Sequence, residues 1–191
     1  MTEMPPYYEV ESLAERLREV PYEPVLRTIG RVAEHEGIEA YAVGGMVRDV
    51  LLGRSTTDLD FVTVGAGTGI ALAEAVAEAL GGHTAHVYPK FGTAAIRLPD
   101  GEWADGADVG PRPDDERADD VLVLEFVAAR TESYRSDSRK PIVEDGTLED
   151  DQYRRDFTVN AMAIHLAPDR FGELLDPFDG RRDLARETID T

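Results

Sequence analysis

Residues 38–64 constrain the fold more than any other stretch of this 191-residue sequence. Residues 38–43 form a short apolar run that reads as a buried strand, and Gly44-Gly45 stops it. Residues 46–52 then carry apolar side chains at helical spacing and are closed by Gly53, while 59–64 return to the β-branched and aromatic residues of a strand. A strand, a glycine turn, a helix and a second strand in such close succession call for one mixed α/β domain. The rest of the chain extends the same pattern. Helical periodicity over 68–80 ends at Gly81-Gly82, strands are expected over 86–88, 93–98 and 121–127, and 161–166 with 173–175 can pair as a hairpin. Side-chain capping at Thr147 starts a helix expected to reach Asp156, and a last helix is expected over 179–189. Residues 131–146 read as a polar loop, and 99–120, which hold nine acids, as an extended excursion or disordered loop. Two helices interrupted by Pro21 and Pro24 make residues 1–36 an N-terminal helical extension to a domain over 37–191.

Composition narrows the chemistry. With no cysteine, disulfide scaffolds, thiolate zinc sites and cysteine nucleophiles are excluded, so carboxylates must do any metal chemistry. The opening residues lack a basic start followed by an apolar stretch, and no apolar run approaches the roughly 18 residues of a membrane span. A soluble, cytoplasmic protein is expected. Against 39 Asp and Glu stand only 20 basic residues, a net charge of −19, with Lys90 and Lys140 the only lysines. By itself this balance argues against a polyanionic partner. A halophilic, high-salt cytoplasm is the other reading, in which screening keeps an acidic surface compatible with folding and local basic residues decide the ligands.

Asp58 and Asp60 bracket Leu59 at the mouth of a strand. Alternation puts both carboxylates on one face, their Cα atoms roughly 6 to 7 Å apart, with Leu59 in the core. Two anions at that distance repel by about 2 to 3 kcal/mol at an effective dielectric near 20, and a divalent cation reverses the sign. Hard oxygen donors suit Mg²⁺. Alone, the pair also fits two solvated acids at a strand end. Glu125 interrupts an otherwise apolar strand, where a charge needs water, a partner or a metal; an edge-strand acid facing solvent is the plainer account. Gly44-Gly45 before a helix offers backbone amides to an anion, with Arg48 one turn on, although a tight turn needs a glycine for its own geometry. Arg154-Arg155-Asp156 equally fits a mixed-charge surface helix. His35, His83, His86 and His165 show no metal-ligand spacing, and Trp103 and the tyrosines are too scattered to mark a base-stacking platform.

Three ordered motifs occur together: Tyr41 to Gly53 (YAVGGMVRDVLLG), Thr57-Asp58-Leu59-Asp60, and Arg154 to Ala161 (RRDFTVNA), with Leu175 to Leu184 (LDPFDGRRDL) as a tail. This combination resembles the head domain of bacterial-type CCA-adding tRNA nucleotidyltransferases and their poly(A) polymerase relatives, over about residues 40 to 189. The resemblance implies a polymerase-β-like nucleotidyltransferase fold, a small mixed sheet backed by helices. It implies Asp58, Asp60 and Glu125 as catalytic metal ligands for two Mg²⁺ ions. It assigns Gly44, Gly45, Arg48, Arg130, Arg155, Asp156 and Asn160 to nucleotide binding, and makes 131–146 a mobile loop near the site. The implied activity is template-independent transfer from CTP or ATP to an RNA 3′-hydroxyl, most simply CCA addition at a tRNA 3′ end. A poly(A) polymerase head, or a fragment that binds nucleotide without turnover, is the alternative. In that family base choice and RNA grip lie beyond residue 191, so a fragment of a longer enzyme is expected.

Overall fold

The computed structural model describes residues 12–99, 121–133 and 142–190. Two central strands decide how it is layered. β2 (Asp58–Thr63) and β5 (Leu122–Ala128) run parallel, with Leu59 beside Leu124 and Phe61 beside Phe126. These four side chains are fully buried, and the two phenyl rings stack with centroids 4.9 Å apart. Because successive side chains alternate, the same register sets Asp58 beside Val123, Asp60 beside Glu125 and Val62 beside Val127 on the opposite face.

Five more strands complete the sheet. They are β1 (Ala40–Val43), β3 (His86–Tyr88), β4 (Thr93–Leu98), β8 (Ala163–His165) and β9 (Leu174–Leu175), in the order β3-β4-β5-β2-β1-β8-β9. Only β2 and β5 are parallel neighbours; every other pair is antiparallel. The sheet is mixed, as expected, and open.

The Leu59 face is covered by α1 (Ala14–Leu17), α2 (Glu23–Glu36), α3 (Gly45–Leu51) and α4 (Thr68–Ala79). Leu17, Leu26, Ile29, Val47, Leu72 and Val76 join the sheet residues in one apolar cluster. At about 1.5 to 3 kcal/mol for each large side chain removed from water, this layer supplies most of the driving force for folding. Leu17, Leu26 and Ile29 lie before residue 37 and pack in that same cluster. Among the described residues, the other face has only a small apolar cluster, Tyr41, Val43, Val62, Ala129 and Ala163, against which Leu148 of α5 (Leu148–Tyr153) packs. Among the described residues nothing packs over Asp58, Asp60 and Glu125, which are exposed on this face.

Three local expectations need correction. Residues 131–146 are not a loop throughout: β6 (Arg130–Ser133) pairs antiparallel with β7 (Ile142–Asp145) as a two-stranded ribbon off the main sheet. Backbone pairing forms this ribbon without apolar alternation, so its strands read as polar loop. α5 stops at Tyr153 instead of Asp156, because Phe157 is extended and residues 158–160 tighten into a 3₁₀ turn. α6 (Gly180–Ala185) ends four residues early; Glu187 turns left-handed with φ 53° and the Thr188 amide closes back on the Asp183 carbonyl. The acidic stretch over 100–120 lies outside the described residues, as do 1–11 and 134–141.

Candidate active site

Five side chains form one row across the open face through strand pairing: Val43, Asp60, Glu125, Ala95 and His86, on β1, β2, β5, β4 and β3 in turn. Neighbouring members are one strand spacing apart, about 4.8 Å. Asp60 and Glu125 stand side by side at its centre. Asp58 is two residues earlier on the same face, in a parallel row that continues through Val123 to Arg97. Asp60 and Glu125 line a cavity of about 280 Å³ with Val43, Thr93, Ala95, Val127, Tyr88 and Arg155.

The electrostatics of this cavity are unfavourable to the ionised Asp60 carboxylate. Desolvation raises the Asp60 pKa above its ordinary value; Glu125 raises it further, Arg155 opposes, and Asp58 adds a smaller push. As the side chains stand, no three histidine or acidic groups among the described residues are drawn together into a ready-made metal cluster. The three carboxylates share a face, with Asp60 and Glu125 adjacent and Asp58 offset.

A cationic flank borders the row on the β1 side. Gly44 follows β1 with φ 76° and ψ −139°, which favours glycine. A Cβ there would lie 3.1 Å from Nη1 of Arg155 and 3.4 Å from Oδ2 of Asp60, so the missing side chain is the space those groups occupy. Gly45 lies beneath Arg48 in the same way. Arg48 is fixed on two sides: Nε and Nη2 donate to the Asp49 carboxylate at 2.9 and 3.1 Å, and Nη1 donates to Oδ1 of Asn160 at 2.9 Å. Arg155 donates through Nε to Asp151 at 2.9 Å and through Nη1 to the Asn160 carbonyl at 3.4 Å. Asn160 thus ties the two arginines together. The expected anion cradle of free amides is altered, since the Gly44 amide donates to the Met162 carbonyl and α3 has only seven residues. The flank's positive charge comes from side chains.

The structure thereby brings Gly44, Gly45, Arg48, Arg155, Asn160, Asp60 and Glu125 into one neighbourhood, with Asp58 next to it. Arg130 opens β6 in register with Asp145 and is not part of the Asp60 cavity wall. Asp156 is exposed, and none of the hydrogen bonds linking Arg48, Asn160 and Arg155 involves it.

Two supporting residues escaped sequence reasoning. The Asp151 side chain is 0% exposed and pairs with both Arg154 and Arg155, which a search for acids three and four residues before an arginine would have found. Gln152 is buried and donates to the carbonyls of Ala161 and Leu175, locking α5 to the segment that carries Asn160. The capping box between Thr147 and Asp150 starts this helix as expected. Tyr88, half-exposed on the cavity wall, was also missed, because only the pairing of β3 with β4 brings it there.

A curated A-adding tRNA nucleotidyltransferase of Geobacter sulfurreducens is 37% identical over 196 residues, covering 96% of this chain and 20% of the relative. A CC-adding tRNA nucleotidyltransferase of Deinococcus radiodurans is 40% identical over 152 residues, covering 79% of this chain and 34% of the relative. Among solved structures, a CCA-adding enzyme in an apo form superposes with a TM-score of 0.72 at 32% identity, covering 94% of this chain and 38% of that one. A tRNA nucleotidyltransferase complexed with a primer tRNA and an incoming ATP analog gives 0.63 at 36% identity, covering 85% and 38%. The chain therefore spans about a third or less of the curated relatives it matches. The family described as the Poly A polymerase head domain matches residues 40–190, and with the carboxylate row and the arginine flank both inside that span, the chain belongs to it.

Proposed function

We propose that this chain carries the transfer chemistry of a template-independent RNA nucleotidyltransferase, moving a nucleotide from CTP or ATP to the 3′-hydroxyl of a tRNA. The observation that carries this reading is the adjacency of Asp60 and Glu125 across β2 and β5, with Arg155 held over Gly44 at their border. The donor set fits Mg²⁺: all three candidates offer hard carboxylate oxygens, and burial first, with the neighbouring Glu125 second, disfavours a bare charge on Asp60, which a divalent cation would compensate. Asp58, Asp60 and Glu125 would hold it. When bound, a pair of such ions lowers the pKa of the attacking hydroxyl and neutralises charge on the leaving pyrophosphate.

The chain's own side chains supply orientation. Arg48 and Arg155 present guanidinium groups to the triphosphate, already fixed by Asp49, Asp151 and Asn160, so little rotamer freedom is lost on binding. Arg155 also borders a second cavity of about 560 Å³ lined by Tyr153, Phe178 and Arg182, which gives the nucleoside a place beside its phosphates. Relatives named A-adding, CC-adding and CCA-adding share this head, which supports a common transfer step here and base choice made elsewhere in the longer proteins.

Among the described residues no helix is long and apolar enough to cross a membrane. The cytoplasm is the compartment this proposal implies, and the −19 charge fits a high-salt one, in which molar KCl raises the melting temperature. The direct test is single-turnover incorporation of labelled ATP or CTP into a tRNA lacking its 3′ end, alongside the Mg²⁺-dependent thermal shift with NTP. Asp58→Ala and Asp60→Asn should each lose transfer by more than about 100-fold, beyond what loss of a mere supporting contact to a metal ligand costs. Both variants should remain folded, and Asp60→Asn should melt higher than the parent without metal. Retained transfer in Asp58→Ala removes the carboxylate pair from the mechanism, and an NTP shift without any transfer reduces the chain to a binding module.

A further inference from the structure

The cavity at Asp60 and Glu125 has two unlike sides. Arg155 and Gly44 close it toward β1; toward the sheet edge it runs over Ala95 and Thr93 to Tyr88. Tyr88 is 50% exposed, and Phe91, in the turn that joins β3 to β4, is 62% exposed. Ala95 occupies the row position next to Glu125, and its small side chain leaves open floor between the carboxylate and the tyrosine ring.

The charge pattern of this edge departs from the rest of the chain. Between Glu78 and Asp100 there is no acidic residue, although 39 of the 191 residues are Asp or Glu. The acid-free run holds Lys90 and Arg97. Lys90 lies over the Phe91 ring, Nζ 5.9 Å from its centroid. Arg97 is exposed and, by register through Val123, shares the face of Asp58. A locally cationic, aromatic surface opening onto the carboxylates is complementary to single-stranded nucleic acid, whose backbone is anionic and whose bases have stacking faces.

We propose that the β3–β4 hairpin seats the 3′-terminal nucleotide of the RNA acceptor, with Tyr88 stacking on its base and Lys90 and Arg97 meeting the phosphates behind it. This rests on the nucleotidyl-transfer reading above and adds where the acceptor enters: on the Glu125 side, opposite the arginines proposed for the triphosphate. Stacking is tolerant of base identity, which suits an acceptor end whose last base changes as nucleotides are added.

The test is fluorescence anisotropy of this chain with a short labelled oligoribonucleotide bearing a free 3′-hydroxyl, run beside the Mg²⁺·NTP thermal shift. Tyr88→Ala should weaken RNA binding by roughly 5- to 100-fold, while Tyr88→Phe keeps it within about twofold. Lys90→Gln and Arg97→Gln should each reduce the slope of log Kd against log salt by about 0.7. All four variants should keep the NTP shift. Parental RNA affinity in Tyr88→Ala overturns the proposal, as does a lost NTP shift in that variant, which would give the cavity to the nucleotide instead. A parent chain that shifts with NTP but binds no RNA overturns the acceptor seat and spares the transfer reading; one that binds RNA through Tyr88 but never shifts with NTP supports the seat and removes the chemistry proposed beside it.

Discussion

The two flanks of the Asp60–Glu125 row are built by different means. On the β1 side every cation has a fixed partner: Asp49 and Asn160 hold Arg48, while Asp151 and the Asn160 carbonyl hold Arg155. These residues come from α3, from α5 and the bend just after it, and from the 3₁₀ turn, and side-chain hydrogen bonds aim them. On the β3–β4 side, Tyr88 and Arg97 are placed by backbone pairing. The first arrangement suits a compact anion that must sit in one pose, because the ordering cost is met before binding. The second suits a polymer end whose identity varies.

Asp151→Asn should separate the flanks most sharply. The buried carboxylate meets Arg154 and Arg155 together, with Nε and Nη2 of Arg155 at 2.9 and 2.8 Å. Neutralising it leaves Arg155, whose side chain is 17% exposed, without its main anion. Breaking a fully buried pair costs about 3 to 5 kcal/mol, and the residual water contact of both arginines places this loss near the lower end. Urea unfolding should show that drop, and titration should show weaker NTP binding with RNA affinity unchanged. Equal loss of both affinities would mean that the two flanks are one unit.

Gly180→Ala acts on the same flank at one remove. A Cβ on Gly180 would lie 2.4 Å from the Thr158 carbonyl oxygen, a backbone atom in the 3₁₀ turn that carries Asn160. The Thr158 hydroxyl is also tied to Asp183 of α6 at 2.7 Å, so the turn cannot retreat without breaking that bond. Overpacking of this kind costs about 1 to 3 kcal/mol. The melting temperature should fall, and NTP affinity should fall with it because Asn160 links Arg48 to Arg155, whereas Tyr88-dependent RNA binding should be spared.

What was legible beforehand follows the same division. The strand, Gly44-Gly45, helix and Asp58-Leu59-Asp60 succession is local, so periodicity and turn chemistry expose the fold's centre and the shared face of the two aspartates. The place of Glu125 beside Asp60 depends on β5 adding parallel to β2 across more than sixty residues of chain, which no local signal encodes. Arg48 follows from the glycine turn and the helix after it, the nucleotide-binding roles of Asn160 and Arg155 follow from motif resemblance, and Asp151, which aims Arg155, lies three residues before the RRDFTVNA motif. Tyr88 carries no local signal, because its neighbours in sequence are ordinary and its neighbours in space come from β4 and β5. The ribbon of β6 and β7 looks like loop in the sequence because its pairing leaves no apolar alternation to detect.

The smallest expected effect lies away from both flanks and bounds their independence from the scaffold. His165, buried on β8 against the Tyr41 ring at 4.8 Å, accepts the Ala167 amide on Nδ1 at 3.1 Å. That bond requires Nδ1 to be unprotonated. Burial first, and Arg170 second, hold the ring's pKa below its ordinary 6.5. The folded state therefore binds fewer protons than the unfolded state just below that value, so this contribution to stability is complete above 6.5 and is lost as the pH falls through the depressed folded value. Its size should not exceed the net worth of one hydrogen bond, about 1 kcal/mol. Denaturant midpoints measured downward from neutral pH should show the decline, and His165→Gln should flatten it. A ratio of NTP to RNA affinity that stays constant across the same range keeps both flanks independent of this end of the sheet, while a ratio that tracks His165 would tie the arginine side to β8 through β1.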